Sequence, residues 1–203
     1  AILDENYHQL LQDTHRDFIK AGAEVIVTTT FTTRRKRLRE NNIEDKFEYL
    51  NIKAGEIAHK VKKEFPNVLI AGGLPPQELT YEADERSEEE IINTFNEQAR
   101  LLNDYVDFFY FDVWSSIKEF KCGIKAIKEF KKPYLIGIHI SEGTNLPSGE
   151  KISDIKTIID DQLLGVMLSC VSPENYEKNL KEMKELNVPF GFKLNGFMTT
   201  KPK

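Results

Sequence analysis

Residues 106–140 read VDFFYFDVWSSIKEFKCGIKAIKEFKKPYLIGIHI, and the fold turns on how this stretch is read. Val106 to Trp114 is an almost unbroken apolar and aromatic run, the pattern of a strand covered on both faces. An amphipathic segment at about 116–131 follows, and Pro133 stops it. PYLIGIHI (133–140) is then a second buried strand. A strand, a helix and a strand in so short a span predict a parallel crossover unit.

The same alternation extends in both directions. Upstream, YHQLLQDTHRDFIK (7–20) has helical spacing, Ala21-Gly22-Ala23 ends it, and Glu24 to Phe31 form a β-rich run. A helix at about 45–64 ends at Pro66, VLIAGG (68–73) is a short strand, and Ser87 with Glu90 forms a capping box for the next helix. Downstream, Ile155, Ile158, Ile159 and Leu163 suggest a helix, and GVMLSC (165–170) a strand. Ser172 caps a further helix with Pro173 in its first turn, and PFGFKLNGF (189–197) is the last strand. The reading gives six strands and six helices in strict alternation, hence an α/β fold with a parallel sheet.

Two architectures fit, an open doubly wound sheet or part of an eight-stranded barrel. The strand ends favour the barrel. They carry Thr28, Thr29 and Thr30, then Gly72 and Gly73, Asp112, His139, Cys170 and Asn195. A barrel gathers its chemistry at the C-terminal ends of all its strands, whereas an open sheet concentrates it at one crevice. No GxGxxG follows any strand, so a dinucleotide site has no local support. A closed (β/α)8 barrel needs eight units and about 250 residues. The expectation is therefore a single domain over residues 1–203 that lacks the first and last barrel strands.

Bulk composition excludes some classes. Hydrophobic residues make up 40% of the chain and charged residues 30%, as in ordinary globular proteins. No apolar run approaches a membrane span. A net charge of −5 argues against nucleic acid as the main partner. Arg34, Arg35, Lys36, Arg37 and Arg39 form a local basic cluster, read as a solvated helix start or as a dock for an anionic group. Two cysteines, Cys122 and Cys170, do not make a disulfide framework and fit a reducing cytoplasm.

Five segments together resemble the homocysteine S-methyltransferase family. They are AGAEVIVTTTFTTRRKRL (21–38), the stretch from VLIAGG (68–73) through VDFFYFDVW (106–114), PYLIGIHISEGTNLPSGEKISD (133–154), GVMLSCVSPE (165–174) and PFGFKLNGF (189–197). Each is weak alone, but they lie in the family's order over nearly the whole chain. The resemblance implies an eight-stranded α/β barrel that holds zinc through three cysteines. One follows strand six and maps onto Cys170; the adjacent Cys-Cys pair of strand eight is expected beyond Lys203, and the strand-one motif before Ala1.

What the resemblance implies for single residues stands beside plainer readings. Cys170 is a zinc ligand or a small core residue. Asp112 stands where the family has Glu holding the substrate amino group, with Val113 in place of the usual Thr; otherwise it is a loop-bonding strand exit. Asn195 would lie near the metal, or is a turn residue before Gly196. Thr29 stands where many members have Asn, and is also an ordinary strand threonine. His139 contacts substrate or is a hydrogen-bonded wall residue. Gly73 allows close backbone approach, and Tyr81 is placed to cover the pocket.

The implied activity is zinc-dependent methyl transfer to homocysteine, giving methionine, with a small onium-type methyl donor favoured because no cobalamin-binding segment is seen. The alternative is a non-catalytic or repurposed barrel of the same superfamily that binds a small molecule. Homocysteine and the donor are the expected partners, and a homo-oligomer is left open.

Overall fold

The computed structural model describes residues 1–140 and 143–196. Ser141 and Glu142 of the third segment (133–154), and Phe197 of the expected last strand, lie outside the described residues. The helices are α1 (His8–Lys20), α2 (Arg35–Glu40), α3 (Phe47–Lys62), α4 (Glu88–Leu102), α5 (Ile117–Ile127) and α6 (Pro173–Glu185). The strands are β1 (Val25–Val27), β2 (Leu69–Leu74), β3 (Phe108–Trp114), β4 (Tyr134–Ile138), β5 (Leu163–Val171) and β6 (Phe190–Leu194). They lie in one sheet in the order β1-β2-β3-β4-β5-β6, so each strand neighbours the next in sequence. The pairings of β1 with β2, β4 with β5 and β5 with β6 are parallel.

The chain divides into two compact units, residues 1–74 with 97–109, and residues 75–96 with 110–203. In the first unit Ile2, Leu38, Phe47, Leu50 and Ala54 form a buried cluster, with Leu11, Ile43 and Leu101 packed on it. The basic cluster of α2 is largely ion-paired. Arg35 Nε donates to Glu97 at 2.6 Å, Arg39 pairs with Glu44 at 2.8 Å, and Arg37 pairs with Glu40 at 3.2 Å. Arg35 also lies over the Phe47 ring at 4.2 Å. These contacts suit the solvated-helix reading.

In the second unit the β3 residues Tyr110 to Trp114 are all buried. Trp114 stacks on Phe111 at 4.3 Å and on Phe95 at 4.1 Å. Helix α5 reaches this ring through Gly123, where an added Cβ would stand 2.2 Å from the indole. Ser116 caps α5 by accepting from Glu119 N at 3.1 Å, and Ser172 caps α6 by accepting from Asn175 N at 3.2 Å. The expected capping box before α4 is present, with Glu90 N donating to Ser87 Oγ and Ser87 N to Glu90.

Two elements differ from expectation. The segment expected as a helix through Leu163 is a 3-10 helix over Ile152–Ile158, and Leu163 already begins β5. Ile152, Ile155 and Ile158 are its buried residues, and a spacing of three suits a helix of three residues per turn. Asp160 then turns the chain: its side chain accepts from Gln162 N at 2.9 Å, and its carbonyl from Leu163 N at 3.2 Å. The β-rich run at Glu24–Phe31 yields a strand of only three residues. Thr28 N still donates to Ala71 O at 3.0 Å, but beyond it the chain turns, and the Thr28 and Thr30 hydroxyls bond each other at 2.9 Å.

Candidate active site

In the second unit Asp112, His139 and Cys170 lie toward the C-terminal ends of three consecutive strands. Asp112 lies in the C-terminal part of β3, His139 directly after β4, and Cys170 near the end of β5. The β5–β6 register shifts between Ser169 and Val171, so Cys170 sits in a bulge. Its φ is 56°, in the left-handed region that non-glycine residues rarely occupy. A bulge turns one side chain away from the regular alternation of the strand, and here that residue carries the thiol. Val113 (φ 68°) and Tyr81 (φ 76°) hold the same unfavoured conformation. For β-branched Val113 the cost is highest, and it falls beside Asp112. Strain of this kind persists where the surrounding structure enforces it, often around functional groups.

Around the thiol the polar contacts are specific. The Tyr81 ring packs against His139 with centroids 4.3 Å apart. His139 Nδ1 lies 3.1 Å from the carbonyl of Ser169. Tyr110 and Ser169 share a hydrogen bond of 2.7 Å in the interior. Gly137 makes room for it, because a Cβ there would fall 2.7 Å from Ser169 Oγ. Lys193, on β6, places its ammonium on Asp112 and 5.6 Å from the Tyr110 ring centroid.

Burial sets the protonation states. It lowers His139 to about 4, so the ring is neutral at pH 7 and the carbonyl contact fixes its proton on Nδ1. Burial also pushes the Cys170 thiol up; Asp112 raises it further, while Lys193 and the Tyr81 hydroxyl lower it. Tyr81 is pushed up to about 12, again chiefly by burial. Left to itself, Cys170 is a protonated thiol, and a cation beside it would be needed to hold the thiolate.

Asn195 follows β6, and its backbone N–H donates to Val171 O at 2.9 Å. Among the described residues no three His, Cys, Asp or Glu side chains cluster so as to hold a metal. Cys170 has the donor chemistry of one zinc ligand, and the described residues do not complete a site around it.

Thr29 and Gly73 belong to the first unit. Gly73 N donates to Thr28 Oγ1 at 3.0 Å, and Gly73 O accepts from Thr30 Oγ1 at 2.6 Å. Gly73 is close-packed, because an added Cβ would meet Val27 at 3.2 Å. Thr29 Oγ1 is buried without a hydrogen-bond partner among the described residues. Thr29 lines a groove of about 390 Å³ with Leu3, Leu11, Leu38 and Asn41.

A family model described as homocysteine S-methyltransferase matches residues 1–202. The chain belongs to the homocysteine S-methyltransferase family. It is 28% identical to a betaine–homocysteine S-methyltransferase of Danio rerio over 62% of its length, and 29% identical to that of Sus scrofa over the same share. It is 27% identical to an S-methylmethionine–homocysteine S-methyltransferase of Rattus norvegicus over 64% of its length. The matches span 31% of the Danio protein and 46% of the Sus protein, about a third to a half of those relatives. In structure the chain resembles the metallated homocysteine methyltransferase MmuM from Escherichia coli, with a TM-score of 0.85 and 17% identity. That likeness covers 97% of this chain and 74% of the other. It agrees with six strand–helix units of a partial (β/α)8 barrel. A dihydrodipicolinate synthase from Bacillus clausii shares the fold at a TM-score of 0.52, so the fold alone does not select homocysteine S-methyltransferase chemistry.

Sequence reading missed Lys193, Tyr110 and Ser169. Lys193 had a signal: it alternates with Phe192 and Leu194, and those two are exposed while Lys193 is half-buried. A lysine on the inward register of a strand is a charge aimed at a partner.

Proposed function

We propose that this protein transfers a methyl group from a small onium donor to the sulfur of homocysteine, giving methionine, and that it works in the cytoplasm. The observation that carries this reading is the match of the family model to residues 1–202, with Cys170 turned out of its strand by a bulge beside Asp112. Betaine-like and S-methylmethionine-like donors are the candidates, because the relatives named for those donors are among the matches. Zinc, held in part by Cys170 with its other ligands outside the described residues, would keep the substrate sulfur as thiolate at neutral pH. Asn195 would stand near it. Asp112 would hold the substrate ammonium, His139 would offer a neutral polar wall, and Tyr81 would cover the sulfur. The bond made is sulfur to methyl carbon and the bond broken is methyl carbon to the donor heteroatom. The donor leaves with the electron pair, and the thiol proton goes to solvent. No described helix is long and apolar enough to cross a membrane.

The test is methionine formation by the full-length protein from homocysteine with each donor in turn. Cys170→Ala is expected to lose both bound zinc and turnover. Absence of methionine with every donor would refute the reading. One observation favours a second reading, a repurposed small-molecule binder: Asp112 is already engaged by Lys193. Saturable homocysteine binding without turnover would select it.

A further inference from the structure

Lys193 and Asp112 lie on strands that are not neighbours, since β4 and β5 separate β3 from β6 in the sheet order. Their charges nevertheless meet, with the Asp112 side chain 12% exposed and the Lys193 side chain 39% exposed. The carboxylate is therefore the embedded partner, and the ammonium arrives over it from the open side. Lys193 pairs in register with Ser169, the residue before Cys170 on the neighbouring strand β5. The pair thus borders the sulfur site. An amino group seeking Asp112 meets Lys193 already there.

From this the geometry points to Lys193 as a second recognition residue: the Asp112–Lys193 pair opens to clamp the zwitterionic head of an α-amino acid. Asp112 takes the α-ammonium and Lys193 takes the α-carboxylate. The inference rests on the proposed homocysteine site and deepens it. The physical reason is charge balance. A zwitterion replaces one internal ion pair by two new ones and leaves no charge unmatched. An amine without a carboxylate would displace Lys193 and leave it unpaired. An acid without an amine would strand Asp112. Leaving one member of a partly buried pair alone is strongly unfavourable, and a site built for a polar group rejects analogues that lack it. Homocysteine joins its head to its sulfur through a short ethylene spacer, which suits a charge pair placed against the thiol of Cys170.

The experiment uses the full-length protein and three thiols: L-homocysteine, homocysteamine (which lacks the carboxylate) and γ-mercaptobutyrate (which lacks the amine). Affinities are read by calorimetry, and KM and kcat for homocysteine from methionine formation. The wild type is expected to favour homocysteine over homocysteamine by about tenfold or more, the range of a charge-assisted hydrogen bond. Lys193→Met should raise the homocysteine KM by a similar factor with little change in kcat. It should leave homocysteamine binding as tight or tighter, so the preference collapses. Lys193→Arg should restore it. Wild-type protein that binds homocysteamine as tightly as homocysteine overturns the inference without any variant. So does a Lys193→Met protein that binds homocysteine as tightly as before, which would make Lys193 a plug. If the wild type neither binds nor methylates homocysteine, the methyltransferase reading fails and takes this inference with it. If the wild type is active and the preference ignores Lys193, only the inference fails.

Discussion

Cys170 occupies a backbone conformation that glycine would hold more cheaply, and this gives a signed prediction. The perturbation is a pair of variants, Cys170→Ala and Cys170→Gly, studied with chelator so that metal linkage does not enter. Both lose the same sulfur contacts, so their difference isolates the backbone. A residue with a Cβ pays roughly 1–2 kcal/mol to hold φ near 56°. Glycine escapes that cost but loses roughly 0.5–1 kcal/mol through its freer unfolded chain. The glycine variant should therefore be the more stable of the two, by up to about 1 kcal/mol. At Leu164, an exposed position of the same strand outside the left-handed region, the order should reverse. Urea unfolding with matched m-values reads the difference. For a chain of this size about 1 kcal/mol also moves the melting temperature by roughly 2–4 °C. A Cys170→Gly protein less stable than Cys170→Ala would refute the bulge geometry and the view that a thiol is kept there against the backbone's preference.

Glu119 is fully buried at the start of α5, where it accepts from Ser115 N at 3.2 Å and Ser116 Oγ at 2.9 Å. Burial pushes its carboxyl up to about 7 from 4.5. A carboxyl raised on folding stabilises below its unfolded value, and that stability is lost as pH rises through the folded one. Glu119→Gln should therefore gain on the wild type by a few kcal/mol between about pH 5 and 8, read from thermal melts across that range; a constant difference would refute the burial argument. Gly123→Ala would drive a methyl into the Trp114 indole and should cost roughly 1–3 kcal/mol or more. Trp114 is the single tryptophan of the chain, so its fluorescence reports the loss directly, and unchanged emission and stability would count against the packing described.

The strand and helix order was legible because burial on both faces leaves continuous apolar runs such as Phe108 to Trp114, and because caps such as Ser87 with Glu90 are written locally. The helix expected through Leu163 was not, since an isoleucine spacing that serves a 3-10 helix also fits part of an α-helical stripe. Only the Asp160 turn, which ties to Gln162 and Leu163, separates the two. Asp112, His139 and Cys170 were legible as strand-end polar residues, because parallel strands point their C-terminal ends the same way.

By itself, then, the sequence determined the alternation, the parallel sheet, the family and the residue types at the strand ends. Those follow from local periodicity and from residues close in the chain. The tertiary structure decided that Cys170 is turned by a bulge, that His139 is neutral, and that Lys193 faces Asp112. Each depends on burial or on contact between segments far apart in sequence. Asp112 and Lys193 are 81 positions apart on non-neighbouring strands, and nothing local to either residue encodes their meeting.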